Sequence, residues 1–165
     1  MSPKTETQPL VIERLFDAPR ELVFKAWTDP EMVKRWWGPN EFTAPVVKLD
    51  FRVGGKWFYA MQSAGFNEGK PIWSTGFFRE IVPNERLVMT DSFADEDGNI
   101  VPASHYAMEG DFPLEMLVTV TFEDAGPGKT RMTLKHEGLP VGEHLSGANE
   151  GWNQSLDKLA AALAA

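Results

Sequence analysis

The sequence predicts an α+β fold in which a curved antiparallel sheet of about seven strands wraps around a long C-terminal helix, with two short helices after the first strand. Three observations predict this fold. Strand-like segments separated by turn residues fill the middle of the chain, and helical apolar spacing precedes them. A long amphipathic stripe closes the chain, and it needs the concave face of a sheet to cover it.

The first strand is predicted at residues 10–16, which are mainly apolar. The polar residues 1–8 before it are expected to form a flexible tail, so that a single domain covers residues 9–165. At 165 residues the chain has the length for one sizeable core. We therefore expect no second domain.

Two short helices are predicted after this strand. Asp17, followed by Pro19, is a typical helix start, and the next residues form an apolar stripe of Leu22, Val23, Ala26 and Trp27. A second helix over 30–37 places its apolar residues at helical spacing until Gly38 and Pro39 stop it. Both helices are expected to lie at one edge of the sheet.

Six further strands are predicted at 42–51, 56–62, 72–82, 86–93, 114–123 and 130–136. Most of the short separators have turn chemistry, at Gly54-Gly55, Pro83-Asn84-Glu85 and Gly126-Pro127-Gly128. Consecutive hairpins make an antiparallel meander. The one long gap, 94–113, has little apolar periodicity, and we predict a mobile loop there that gates the interior.

The closing helix is predicted over 142–163. Its apolar residues recur at spacings of three and four, at Leu145, Ala148, Trp152, Leu156, Leu159 and Leu163. Period-two alternation then indicates which side chains of two strands face it: Val118, Val120 and Phe122 on one, and Met132, Leu134 and His136 on the next.

Ionisable residues are candidates for chemistry inside the sheet. His136 is predicted to face inward, as a hydrogen-bonding anchor, an acid or base, or simply a satisfied histidine at a strand end. His144 is placed at the cavity mouth or on the helix surface. Glu80 shares a face with Gly76 and Phe78, although aromatic residues on both faces leave its direction open.

If Glu80 faced inward, it would need a cationic partner, for which Arg52 and Arg79 are the candidates. Such a pair would be structural or would anchor a ligand. The charged Asp91 lies on the following strand, and His105 lies in the long gap. The three histidines are far apart in sequence and form no ligand pair, so no metal site is predicted.

Aromatic residues make up 12% of the chain, with eleven Phe and six Trp, and they suggest a lined pocket. The alternative is a solid aromatic core. We predict a ligand cavity lined by Trp36, Trp57, Tyr59, Trp73, Phe78, His136 and Trp152.

Composition excludes several functions. A net charge of −8 repels phosphate backbones and anionic membranes, so neither nucleic acid nor a membrane is an expected partner. The absence of cysteine excludes disulfides, thiolate nucleophiles and Cys-ligated zinc. No phosphate loop, dinucleotide fingerprint or serine elbow is present, and no cofactor is predicted. Because no apolar segment suits a membrane span or a signal peptide, the expected location is cytoplasmic.

The chain also has three Trp-and-Gly blocks, in the order helix, hairpin and closing helix: Arg35-Trp36-Trp37-Gly38-Pro39, Arg52-Val53-Gly54-Gly55-Lys56-Trp57 and Gly151-Trp152-Asn153-Gln154-Ser155-Leu156-Asp157-Lys158-Leu159. From about Ile12 to Leu163 the sequence resembles the START-like helix-grip superfamily, in the branch similar to the C-terminal domain of activators of the heat-shock-protein-90 ATPase. The resemblance implies the sheet-around-helix fold, an enclosed cavity for a small hydrophobic or aromatic molecule, and a homodimer as an option.

Three functions follow from these observations. The first is a small-molecule binding protein without catalysis. The second is a non-metal acid/base enzyme of the cyclase, dehydratase or hydrolase type in the same cavity, with His136 or His144 acting and Glu80 or Arg52 orienting the substrate. The third is a co-chaperone-like stress-response protein. We rank a chaperone partner last, because the separate N-terminal domain of long family members is not found before the START-like part.

Overall fold

The computed structural model describes residues 7–108 and 112–164. Its order of elements is the predicted one, with three α-helices and seven strands in the described residues. The helices are α1 (Arg20–Thr28), α2 (Pro30–Trp36) and α3 (Glu143–Ala164). The strands are β1 (Leu10–Phe16), β2 (Thr43–Leu49), β3 (Lys56–Gln62), β4 (Ile72–Val82), β5 (Arg86–Ala94), β6 (Met116–Asp124) and β7 (Thr130–Glu137).

The seven strands form one curled antiparallel sheet in the order β1-β7-β6-β5-β4-β3-β2. The meander β2 to β7 places each strand beside the next, and β1 pairs with β7 through the register Leu10 to His136. α3 buries Leu156 and Leu159 completely in the core between itself and the sheet. The predicted α+β architecture is confirmed, including the two short helices after the first strand.

The inward faces of β6 and β7 agree with the period-two prediction. Each of the predicted side chains is at most 4% exposed: Val118, Val120, Phe122, Met132, Leu134 and His136. The stripe of α3 packs on the same core, where Leu145, Ala148, Trp152 and Leu163 are partly buried. None of the helices in 7–108 and 112–164 has the length and apolarity that a membrane crossing requires.

The predicted start of α1 at Asp17 is wrong. The N-cap position is occupied by Pro19, whose carbonyl oxygen accepts from the backbone N–H groups of Leu22 and Val23 at 3.0 and 3.1 Å. Asp17 lies outside this turn and is exposed. The apolar stripe is shifted accordingly, because Phe24 is buried whereas Leu22 is 37% exposed.

The sequence leaves the direction of Glu80 open, and the structure places its side chain on the outside of the sheet. The β4–β5 register shifts between Phe78, which faces Met89, and Glu80, which faces Val88, so Arg79 is an extra residue in β4. A bulge of this kind reverses the side-chain alternation beyond it. Phe78 therefore stays buried, while Glu80 is exposed and pairs with Arg86 on the surface.

The described part of the segment predicted as a mobile loop, 94–113, is packed against the sheet. Ile100 forms an isolated bridge with Ala94, and residues 103–106 form a short 3₁₀ helix in which Tyr106 is buried. The Tyr106 hydroxyl donates to the Ala94 carbonyl and accepts from the Trp73 N–H at 3.0 Å. Positions 109–111 of that prediction lie outside the described residues.

The predicted flexible tail, 1–8, is described only at its end. Residues 1–6 lie outside the described residues. Thr7 forms an isolated antiparallel bridge with Pro140, and the Gln8 N–H donates to the Leu139 carbonyl at 3.3 Å. The last two predicted tail residues therefore extend the β1 edge.

Candidate functional site

A partly open cavity of about 430 Å³ lies between α3 and the inner face of the sheet. Its walls come from the N-terminal half of α3, the loop after α2, the ends of strands β3 to β7 and the segment before β6. Most of the lining is apolar, with aromatic rings from Trp37, Phe42, Phe66, Trp73, Phe93, Phe112 and Trp152. A volume of this size is in the usual range for small-molecule sites.

Three of the seven predicted site residues border this cavity. Trp152 contributes from α3 and His136 from β7, while Trp73 contributes from β4 and stacks its ring on Phe58 at 4.7 Å. The structure therefore brings together residues that are 79 positions apart in sequence (73 to 152) around one space. Whether they bind a ligand stays a prediction.

The other four predicted site residues are not among the cavity-lining residues: Trp36, Trp57, Tyr59 and Phe78, each at most 1% exposed. Their polar atoms explain part of this placement. The indole N–H of Trp36 donates to the Ala26 carbonyl, and that of Trp57 donates to the Thr90 carbonyl, both at 2.9 Å. Both rings are thus fixed inside the core. The structure therefore contains both a solid aromatic core and a cavity beside it.

Trp37 connects this aromatic core to the cavity, and sequence reasoning did not select it. Its ring contacts Trp57, Tyr59 and Trp152 at centroid distances of 6.0, 4.9 and 5.7 Å. Trp37 follows the last residue of α2, where the backbone has already become extended. That departure from helical geometry turns its ring away from the direction that helical spacing predicts.

Asp91 is absent from the predicted cavity lining, but the structure places it in the cavity wall. It shares one face of β5 with Met89 and Phe93, whose side chains pack on the core, and it borders the cavity as Phe93 does. The period-two spacing of these three residues is visible in the sequence and identifies Asp91 as an inward residue. A carboxyl group at this position lies beside the β6 and β7 side chains.

A polar cluster, consisting of Asp91, His136 and Trp152, lies along the inner wall of the cavity. The Trp152 Nε1–H donates to His136 Nδ1 at 3.0 Å, and His136 Nε2 lies 3.4 Å from Asp91 Oδ2. Because an indole nitrogen can only donate, His136 Nδ1 must accept. The neutral imidazole therefore carries its proton on Nε2, facing the carboxyl group of Asp91.

Burial shifts the pKa values of both ionisable groups in this cluster in the direction that favours their neutral forms. Desolvation raises the pKa of Asp91 to about 7 and lowers the pKa of His136 to about 4. The Trp152 hydrogen bond acts in the same direction on the pKa of His136, because a proton on Nδ1 would break it. At neutral pH the imidazole is uncharged and the carboxyl group is close to its midpoint.

The two other histidines differ in their surroundings. His144, on the first turn of α3, borders the cavity mouth, and its ring meets Phe112 edge to face at 4.6 Å. His105 lies beside Tyr106 and is not part of the lining. Within 7–108 and 112–164, no three His, Asp or Glu side chains are grouped in a way that could hold a metal ion.

Neither of the two arginines considered as partners for an inward Glu80 pairs with it. Arg52 pairs with Asp50 at 2.7 Å and Arg79 pairs with Glu115 at 2.9 Å, and both arginine side chains are more than half exposed. Both pairs lie on the protein surface, so neither pair can anchor a ligand in the cavity. Surface pairs of this kind contribute little to stability.

A curled antiparallel sheet that grips a C-terminal helix defines the START-like helix-grip class of proteins. Residues 17–164 match the sequence profile of the family described as Activator of Hsp90 ATPase homolog 1-like protein. The chain belongs to this family, which confirms the resemblance found in the Trp-and-Gly blocks. None of the curated proteins matches this sequence.

Solved structures of bacterial proteins have the same fold. A Chromobacterium violaceum protein is 28% identical with a TM-score of 0.77, covering 94% of this chain and 96% of its own. A family member from Silicibacter pomeroyi is 29% identical with a TM-score of 0.75, covering 95% and 98%. An Arthrobacter aurescens protein is 26% identical with a TM-score of 0.75, covering 96% and 91%. Each likeness extends over nearly the whole of both chains.

Proposed function

We propose that this protein binds a small hydrophobic or aromatic molecule in the cavity between the sheet and α3. The observation that carries the proposal is the cavity of about 430 Å³ with a mostly apolar, aromatic wall and a few polar groups. Sites for small organic ligands have this composition, because apolar surface supplies affinity and a few placed polar groups supply orientation. The family membership supports the same function.

Native mass spectrometry of the freshly purified protein, followed by titration of tryptophan fluorescence with apolar and aromatic molecules, tests the proposal. Trp37 and Trp152 line the cavity, so a bound molecule is expected to change their emission. Co-purified mass or saturable quenching is expected. A clean apoprotein mass together with no response to any molecule would count against it.

A matched pair of variants separates cavity binding from surface binding. Gly147 lies on the cavity side of α3 with nothing within 4 Å of the position of an added Cβ, so Gly147→Phe is expected to fill the space. Ala161→Phe places the same ring on the exposed side of the same helix. Gly147→Phe should abolish the fluorescence response and Ala161→Phe should retain it; equal responses would place binding elsewhere.

A second candidate function is non-metal acid/base catalysis in the same cavity. It is favoured by Asp91, whose pKa of about 7 suits a group that gains and loses protons near neutral pH. His136 is a poor proton carrier here, because Trp152 occupies its Nδ1, and Glu80 and Arg52 lie outside the cavity. Loss of turnover in Asp91→Asn, with ligand binding retained, would support this function over binding alone.

The family name does not by itself extend a chaperone interaction to this chain, because a shared fold does not fix function. A cytoplasmic location and a homodimer also stay predictions. Cell fractionation and sedimentation velocity would test them.

A further inference from the structure

The charged groups of the cavity wall are unbalanced. Among the lining residues that the structure describes, Asp91 and Glu143 are acidic, and none is a lysine or an arginine. Asp91 is the deeper of the two, with one fifth of its side chain exposed and the cavity beside it. A carboxylate in such a position is costly to ionise unless a cation pairs with it.

The neighbouring histidine does not supply that cation. His136 is 4% exposed, and its Nδ1 accepts the Trp152 N–H at 3.0 Å. A doubly protonated ring would place two N–H groups against each other and lose this hydrogen bond. His136 Nε2 is buried and has no hydrogen-bond partner among the described residues, although Asp91 Oδ2 lies 3.4 Å away. At this place in the wall, the His136 Nε2–H donor and the Asp91 carboxyl group are therefore both available to a third group.

We propose that Asp91 is the counter-ion for a protonated amine carried by the apolar or aromatic ligand of this cavity, so that the protein selects organic cations. This inference rests on the proposed function. The ammonium group donates to Asp91, and the ionised carboxylate then accepts from His136 Nε2–H as well. Charge-assisted hydrogen bonds of this type are stronger than neutral ones.

The aromatic wall suits the same ligand. The indole rings of Trp37 and Trp152 both line the cavity and meet edge to face at 5.7 Å. A cation near the face of a tryptophan ring is attracted by the ring quadrupole. Organic anions are disfavoured, because they would lie against Asp91 and Glu143 without a basic partner.

Proton exchange accompanies binding. The titratable groups facing Asp91 across the cavity wall are His136 from β7 and Glu143 and His144 from α3. Where Asp91 is protonated before binding, entry of an ammonium ion releases that proton to the solvent, and the charge of the site stays constant. The affinity for an amine is therefore expected to rise as the pH rises through about 7.

Isothermal titration calorimetry at pH 8 with 3-phenylpropylamine, 3-phenylpropan-1-ol and 3-phenylpropanoate tests the inference, because these probes share one apolar body. The amine is expected to bind at least about tenfold tighter than the alcohol, and the carboxylate most weakly. At pH 6.5, titrations in two buffers of different ionisation enthalpy should show proton release with the amine and none with the alcohol.

Asp91→Asn should reduce amine binding to the level of the alcohol and leave alcohol binding in place. Asp157→Asn is the matched control, since Asp157 is exposed on α3 and pairs with Arg14. Equal affinity for amine and alcohol, or an amine preference that survives Asp91→Asn, would overturn this inference while the proposed function stands. Failure of all three probes to bind would count against both.

Discussion

The indole Nε1–H of Trp152 donates a hydrogen bond to Nδ1 of His136 at 3.0 Å, and this bond joins α3 to β7 at the cavity wall. Through this bond, a residue of the closing helix determines the protonation of a side chain in the sheet. The helix position fixes which ring nitrogen of His136 is protonated, and the protonated Nε2 then faces Asp91.

Trp152→Phe keeps an aromatic ring in α3 but removes the donor. Because the lost hydrogen bond stabilises the neutral imidazole, we expect the pKa of His136 to rise from about 4 by roughly one unit. Long-range ¹H–¹⁵N NMR of the imidazole groups measures this change and should show the Nε2–H tautomer in the wild type. Trp37→Phe, which removes another cavity indole, is the control, and an unchanged pKa in Trp152→Phe would refute the assigned role.

The stability of Asp91→Asn relative to the wild type is expected to increase with pH. The pKa of Asp91 is raised from 3.8 to about 7 in the folded state, so its contribution is present below pH 3.8 and is lost as the pH rises to about 7. Full linkage gives a slope of roughly 1.4 kcal/mol per pH unit in this window, as an upper bound. Urea unfolding at pH 4.5, 5.5, 6.5 and 7.5 measures it.

His136→Asn should show the opposite sign. The pKa of His136 is lowered from 6.5 to about 4, so its contribution is present above pH 6.5 and is lost as the pH falls toward 4. The stability of His136→Asn relative to the wild type is therefore expected to increase as the pH falls. Since the two slopes oppose each other between about pH 4 and 6.5, this pair should change the stability of the wild type little in that range. Parallel slopes in the two variants would contradict the opposite pKa shifts of Asp91 and His136.

Periodicity predicted the fold because most strands of this chain keep one side toward the helix. In β7, Met132, Leu134 and His136 alternate with exposed or partly exposed residues, so the inward position of His136 follows from the sequence. The same reasoning applied to Met89, Asp91 and Phe93 would have placed Asp91 in the wall. The prediction of the aromatic lining rests on the number of aromatic residues, and that number does not distinguish a core ring from a cavity ring.

Other features depend on contacts between distant residues. The outward direction of Glu80, which the sequence leaves open, is set by a bulge whose extra residue, Arg79, carries no local signal. Trp36 and Trp57 are held in the core, away from the cavity, because their indole N–H groups donate to the carbonyl groups of Ala26 and Thr90. Such partners are 10 and 33 residues away in the chain, and only the folded structure brings them together.

Gly76→Ala is expected to destabilise the protein through Trp57. A Cβ at position 76 would lie 1.9 Å from the Thr90 carbonyl oxygen and 2.4 Å from Trp57 Nε1, between the two partners of a hydrogen bond. Overpacking in a core costs about 1–3 kcal/mol, and the lost hydrogen bond adds to it. Urea unfolding measures the loss.

Gly147→Ala is the control for that substitution. It lies within α3 with nothing within 4 Å of the added Cβ. Because alanine is the better helix former, we expect an unchanged or increased stability, by up to about 1 kcal/mol. A Gly76→Ala variant as stable as Gly147→Ala would show that the close approach at Thr90 is not required.

Tyr106→Phe removes the hydroxyl group that holds the segment before β6 against the sheet. That group accepts from the Trp73 N–H at 3.0 Å and donates to the Ala94 carbonyl, so phenylalanine leaves a partly buried N–H without its acceptor. The expected loss of stability is about 1–3 kcal/mol. With these hydrogen bonds lost, hydrogen exchange in the segment is expected to accelerate. Because Met108 and Phe112 of the same segment line the cavity, ligand binding should also weaken. Faster exchange confined to this segment would show that Tyr106 anchors the cavity wall, whereas exchange equal to the wild type would show that packing alone holds it.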